Sequence, residues 1–187
     1  MEGKPALEIG PGLGQLSELI LEKAKYLHCI ELDKRLCLFL KSKFSKKENI
    51  EIIQADICSF PLSRLPQKII VFGNIPYYLS SSLIHHLVRQ RSKIESCYLT
   101  LQKEFAAKLI AKPGNKSYTF ISCFIQYYAR VKKLFDIPAG SFYPKPKVDS
   151  SLVEIDFSAK LHWKVENEDF LFGIIRRAFS QRRKKIA

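Results

Sequence analysis

The sequence predicts an α/β fold: a mostly parallel sheet covered by helices on both faces, closed by a late antiparallel hairpin. Two observations carry this. From Ala6 to Ile110, short apolar runs alternate with segments whose apolar residues recur at helical spacing. After Lys112 that alternation stops, and two strand-like runs flank a proline-rich loop.

Ala6–Ile9 is the first apolar run, and Leu16, Leu19 and Ile20 begin a helix after it. Tyr26–Ile30 is the second strand, followed by a helix carrying Leu36, Phe39, Leu40 and Phe44, with Asp33 placed to cap it. Ile50–Ile53 and Lys68–Phe72 are the third and fourth strands. Leu83, Ile84, Leu87 and Val88 form a helical stripe, with Ser80 or Ser81 as the expected cap. Ser96–Leu101 is a strand, and Phe105, Leu109 and Ile110 mark another helix. "KPGNKSY" reads as a loop and Tyr118–Tyr128 as a helix. Val131–Phe135 and Leu152–Phe157 are strands around "IPAGSFYPKPKVDSS", where Pro138, Pro144 and Pro146 exclude regular structure. The last segment, from Asp169, carries Phe170, Leu171, Ile174, Ile175, Ala178 and Phe179 as one apolar stripe, and Arg176, Arg177, Arg182, Arg183, Lys184 and Lys185 crowd its end.

A chain of 187 residues with 47% hydrophobic content can bury a real core. Its net charge is +13, from 31 Lys and Arg against 18 Asp and Glu, which favours a polyanionic partner such as nucleic acid. No apolar run reaches membrane-spanning length and no signal-peptide pattern opens the chain, so a soluble, cytoplasmic protein is expected. The five cysteines are odd in number and form no Cys-x-x-Cys pair, which argues for buried free thiols over disulfides or zinc. The four histidines lack metal-ligand spacing and read as scattered surface residues; no metal is expected.

"LEIGPGLGQLSELI" runs from a strand through Gly10, Gly12 and Gly14 into a helix. Such glycines permit a tight turn and close approach of a ligand to the backbone. Glu31 ends the second strand, where a carboxylate can accept hydrogen bonds from both ribose hydroxyls of a nucleoside. Asp56 follows the third strand and can accept from an adenine amine. The combination fits S-adenosyl-L-methionine. NAD is the competitor, but its fingerprint sets the third glycine one residue later.

The fourth strand ends in "FGNIPYYLSS". An exocyclic adenine amine is a poor nucleophile because its lone pair is delocalised into the ring. The Asn74 amide oxygen and the Ile75 carbonyl can accept its two N–H bonds and turn the lone pair toward a sulfonium methyl. Pro76 stiffens the turn, and Tyr77 can stack on the base. Tyr78 has no role on this reading.

"EIGPGLG", "IELD", "QADI" and "FGNIPY" stand in the order found in the ribosomal RNA adenine N6-dimethyltransferase family, and the sequence resembles its KsgA-type, small-subunit branch. "LQKEFAAKLIAKPGNKSY", "FYPKPKVDSSLVEI" and "AFSQRRKKI" extend the resemblance to nearly the whole chain. It implies a Rossmann-like methyltransferase fold that dimethylates two adjacent adenines in a loop near the 3′ end of small-subunit rRNA, with a role in ribosome biogenesis. It implies S-adenosyl-L-methionine contacts at Gly10, Gly12, Glu31, Leu32, Asp56, Ile57 and Asn74, and catalytic base contacts at Asn74, Tyr77 and Phe142. The family has a segment before the first strand and a small helical domain after the basic helix. The expectation is therefore a catalytic domain over 1–165, and over 166–187 the start of a truncated helical RNA-binding domain.

Lys145, Lys147, Arg182 and Arg183 are candidate RNA-backbone contacts. The immature small ribosomal subunit is the expected partner, engaged by a monomer. Two alternatives stand beside this reading. One is a macrolide-resistance-type methyltransferase of large-subunit rRNA, which also carries "NIPY" and a similar Pro-rich loop. The other is a non-enzymatic ribosome-assembly factor.

Overall fold

The computed structural model describes residues 2–65, 67–159 and 165–180. In chain order the elements are β1 (Pro5–Ile9), α1 (Gln15–Leu21), β2 (Tyr26–Glu31), α2 (Lys34–Lys43), β3 (Ile50–Gln54), β4 (Ile69–Asn74), α3 (Ser80–Arg89), β5 (Ile94–Gln102), α4 (Lys103–Ile110), α5 (Phe120–Tyr128), β6 (Arg130–Ile137), β7 (Ser150–Asp156) and α6 (Glu168–Ser180). They build one seven-stranded sheet in the order β3-β2-β1-β4-β5-β7-β6. The first five strands run parallel, and β7 lies antiparallel to both β5 and β6. This is the expected Rossmann-like sheet with its late hairpin.

The apolar runs of β1, β2 and β4 are continuous because both faces are buried. Leu7, Ile9, Ile30, Val71 and Leu99 pack with Leu83, Ile84, Leu87, Leu109 and Ile125 on one side. Ala6, Leu27, Cys29 and Ile52 pack with Ile20, Leu40 and Phe44 on the other. β3 and β6 are the edge strands; β6 exposes Arg130, Lys132 and Lys133 and shifts register between Lys133 and Phe135. Charge and irregularity at an edge oppose pairing with another chain.

The strand order reverses between β1 and β4: the chain leaves β1 toward β2 and β3, then returns to the other side of β1 at β4. Crossovers on opposite sides leave a crevice at the carboxyl ends of these two strands. The glycine turn and the "NIPYY" segment, which leave β1 and β4, therefore begin beside one another.

Several local expectations change. Asp33 caps α2 as expected, its carboxylate accepting the Arg35 N–H at 2.7 Å. Neither Ser80 nor Ser81 caps α3, which instead continues out of a 3₁₀ turn at Tyr77–Leu79. The Ser80 hydroxyl is buried without a hydrogen-bond partner among the described residues. α5 begins at Phe120, because Thr119 and Ser122 form a reciprocal cap there. Three of the four histidines are not scattered on the surface, and His162 lies outside the described residues. His28 is buried against Glu51, His86 meets the Phe60 carbonyl, and His85 packs on Phe124. Cys29, Cys37 and Cys97 are buried thiols, while Cys58 and Cys123 are half-buried.

α6 docks with a face rotated from the expected stripe: Leu171, Ile175, Ala178 and Phe179 are half-buried, with Phe179 against Tyr118. Phe172, absent from that stripe, meets Phe120, Phe124, Tyr127 and Tyr128, while Phe170 and Ile174 are exposed. Glu168 accepts hydrogen bonds from the Tyr127 and Tyr128 hydroxyls, and the Arg176 guanidinium lies over the Phe120 ring. Ring packing and these polar contacts select the face, and apolar periodicity records neither. No helix among the described residues is long and apolar enough to cross a membrane.

Candidate active site

Gly10, Gly12 and Gly14 have φ of 63°, 58° and 74°, in the left-handed region that favours glycine. Their surroundings differ. A Cβ on Gly10 or Gly12 would meet nothing within 4 Å, whereas one on Gly14 would lie 2.8 Å from Leu40 Cδ2 and 2.9 Å from Phe44 Cε2. Gly14 thus lets the start of α1 sit against α2. Gly10 and Gly12 border open space into which a ligand can come against bare backbone.

Glu31 faces this turn from the end of β2. Its Oε1 accepts the N–H groups of Leu32 at 2.8 Å and Asp33 at 3.0 Å, and its Oε2 accepts the Gly12 N–H at 3.3 Å. The carboxylate is buried and held by backbone on two sides. It therefore braces the glycine turn as well as offering acceptor capacity, and Oε2 is the oxygen with room for a ribose hydroxyl. Leu32 is 65% exposed beside it. Asp56 is exposed; its Oδ1 accepts the Cys58 N–H at 2.9 Å, while Oδ2 makes no hydrogen bond among the described residues. Ile57 is buried, so it supports the wall from beneath.

Just ahead of the glycine turn, Glu8 is buried on β1 and accepts from the Ser17 hydroxyl. Burial raises its carboxyl to about 7, although hydrogen bonds from Ser17 and Cys29 pull the other way.

At the end of β4, Gly73 is required by crowding. A Cβ there would come within 2.7 Å of Ile75 Cδ1 and 3.2 Å of the Ile9 backbone oxygen. Ile75 is buried and its N–H donates to the Thr100 carbonyl at 3.0 Å. That bond fixes the peptide from which the Ile75 carbonyl projects. Asn74 is exposed, and neither its amide nor the Ile75 carbonyl is engaged in a hydrogen bond among the described residues. Asn74, Ile75, Pro76 and Tyr77 line a cavity of about 310 Å³ whose far wall is Phe142, Tyr143, Pro144, Pro146 and Ser150. The Tyr77 hydroxyl lies 3.1 Å from the Val148 carbonyl and 3.2 Å from Ser150 Oγ.

Lys145 and Lys147 are exposed next to prolines of that far wall. Arg182 and Arg183 lie outside the described residues. A larger cavity, about 570 Å³, opens among Tyr26, His28, Glu51, Phe60 and Arg64. It lies toward the amino ends of β1 and β2, away from the crevice where open α/β sheets bind ligands.

Two free acceptors at the end of a buried strand, walled by aromatics beside a glycine turn, suit a planar base with an exocyclic amine. Residues 1–187 match the family model for ribosomal RNA adenine dimethylase. The chain belongs to that family. It is 41% identical over 184 residues to the ribosomal RNA small subunit methyltransferase A of Desulforapulum autotrophicum, covering 96% of this chain and 65% of that protein. Identity to the same-named protein of Syntrophus aciditrophicus is 36% over 191 residues, covering 99% and 68%. A dimethyladenosine transferase from Plasmodium falciparum superposes with a TM-score of 0.85 at 29% identity, covering 99% of this chain and 66% of that one. The chain spans about two thirds of the length of the relatives it matches.

Sequence reasoning missed some residues that line this cavity. Tyr143, which is fully exposed, and Ser150 carry no local signal beyond their place in or after a proline-rich loop. Tyr78 is 85% exposed and does not line the cavity beside it.

Proposed function

We propose that this protein is an S-adenosyl-L-methionine-dependent adenine N6-dimethyltransferase acting on small-subunit ribosomal RNA. The observation that carries the reading is the pairing of two unengaged acceptors, the Asn74 amide and the Ile75 carbonyl, with the aromatic walls of Tyr77 and Phe142. The names of its relatives support the substrate class.

The residues at the carboxyl ends of β1, β2 and β3 fit the cofactor. Gly10 and Gly12 leave open space along the turn, Glu31 presents a fixed carboxylate, and Asp56 keeps one oxygen free. Leu32 would flank its adenine, with Ile57 supporting the wall from beneath. When bound, the cofactor supplies an electrophilic methyl group on a sulfonium.

The chain's own work is positioning. Tyr77 and Phe142 hold the target ring, extruded from an unpaired RNA loop, between them. Asn74 Oδ1 and the Ile75 carbonyl accept both amine N–H bonds, which aims the nitrogen lone pair and increases its density. After transfer the nitrogen is acidic, and its proton leaves to solvent along one of these hydrogen bonds. A once-methylated amine retains a single N–H, so the second transfer needs only one acceptor.

Lys145, Lys147, Arg182 and Arg183 would hold RNA phosphates. The immature small ribosomal subunit, engaged by a cytoplasmic monomer, is the natural substrate. Residues 1–165 would form the catalytic domain, and the basic segment 166–187 would contribute to RNA binding.

Incubation with radiolabelled cofactor and small subunits lacking the modification tests this reading. Dimethyladenosine should form in the small-subunit RNA. Asn74→Ala should lower transfer by about a hundredfold or more while cofactor affinity falls far less. Unchanged turnover by that variant sinks the assigned role.

A further inference from the structure

We infer that Ser150 is a positioning residue for Tyr77, and that together with the Val148 carbonyl it sets the width of the base cavity before any base arrives. This rests on the reading of that cavity as an adenine site. Stacking requires only the ring of Tyr77; a phenylalanine would present the same face. The hydroxyl points instead to a segment more than seventy residues along the chain, lying 3.1 Å from the Val148 carbonyl and 3.2 Å from Ser150 Oγ.

A phenol has one proton, so the two contacts divide in one consistent way. Tyr77 O–H donates to the Val148 carbonyl, and Ser150 O–H donates to the Tyr77 oxygen. Ser150 is a firm anchor. It is buried, and its backbone pairs with Gln102 on β5 and Ile137 on β6, so it cannot shift without moving two strands.

The loop carrying Phe142 is tied to the same place. Asp149 Oδ1 accepts the Ala139 N–H at 3.0 Å, and the Asp149 carbonyl accepts the Lys103 N–H at 3.0 Å. Both aromatic walls are therefore referenced to the start of β7. The wall that follows β4 reaches it through one phenol, and the wall that precedes β7 reaches it through its own base. A cavity fixed in this way loses little freedom when a base enters.

A double-mutant cycle tests the assignment. Single-turnover methyl transfer to undermethylated small subunits is measured for wild type, Tyr77→Phe, Ser150→Ala and the double variant, with cofactor affinity measured by calorimetry. Each single variant should slow transfer roughly five- to tenfold, as expected for loss of a neutral hydrogen bond. Cofactor affinity should stay within about twofold of wild type, because Ser150 acts on the base side only. Ser150→Ala should have no further effect in the Tyr77→Phe background. An equal slowing in both backgrounds would show that Ser150 acts by another route and overturns the inference.

A second readout does not depend on activity. In protein labelled with 3-fluorotyrosine, the Tyr77 fluorine resonance, identified by its loss in Tyr77→Phe, should shift in Ser150→Ala. An unchanged resonance overturns the tether, whereas absence of methyl transfer by wild type with a shifted resonance overturns only the catalytic reading.

Discussion

Replacing single glycines in the β1–α1 turn should separate what the fold needs from what the ligand needs. Gly12 and Gly14 have similar positive φ, so alanine at either costs about 1–2 kcal/mol in backbone strain. Only at Gly14 does the new methyl collide, at 2.8 Å with Leu40 Cδ2 and 2.9 Å with the Phe44 ring. Leu40 and Phe44 are core residues of the α1–α2 face, so the collision adds about 1–3 kcal/mol of overpacking. At about 2–4 °C per kcal/mol for a chain of this size, Gly14→Ala should melt roughly 10 °C below wild type, and Gly12→Ala about half as far. Cofactor affinity should rank in the reverse order. The Gly12 methyl enters open space beside Glu31 Oε2 and should weaken binding by more than about tenfold. Gly14→Ala, measured well below its melting point, should bind nearly normally. Thermal unfolding by circular dichroism and calorimetric titration of cofactor supply the two numbers. Equal melting losses for the two variants, or tight binding by Gly12→Ala, would refute the division.

Glu8→Gln should flatten the acid side of the stability profile. In the folded protein Glu8 holds its proton up to about 7, against 4.5 for an ordinary glutamate. Between those values the unfolded chain ionises first, so stability falls as pH rises from about 4.5 to about 7 and the loss is complete above that, amounting to roughly 3 kcal/mol; denaturant midpoints across this range should show the slope in wild type and not in the variant. Neutralising Lys145 and Lys147 together should reduce the slope of log affinity against log salt for RNA by about 1.4, at roughly 0.7 for each single-strand phosphate that is no longer paired with a cation, without altering cofactor binding. Phe172→Ala should destabilise the docking of α6 by roughly 2 kcal/mol, seen as faster proteolysis near residue 165, whereas Phe170→Ala at an exposed position should change it by less than about 0.5 kcal/mol.

Much of this molecule is legible without coordinates because its signals are short-range. The continuous apolar runs of β1, β2 and β4 follow from burial on both sheet faces, and the helical stripes of α2 and α3 from burial on one. The Asp33 cap reaches only as far as Arg35. Gly10, Gly12 and the Asn74–Pro76 turn announce themselves because their backbone geometry restricts which residues can stand there. The α6 face is less legible. Counting apolar residues finds Leu171, Ile175, Ala178 and Phe179 but also puts the exposed Phe170 and Ile174 in the stripe, and it omits Phe172, Glu168 and Arg176, whose partners on α5 are rings and hydroxyls.

What the sequence determined by itself was therefore the succession of strands and helices and the chemistry carried at the ends of β1, β2 and β4. Tertiary structure alone decided the strand order that sets the β1 and β4 turns side by side, and the three backbone N–H groups that hold Glu31 against Gly12. It also decided the meeting of Tyr77 with Val148 and Ser150. These depend on hydrogen bonds and crossovers between distant segments. Residue periodicity carries no information about them, because a side chain's type limits which partners it can accept without saying which one the fold will bring to it.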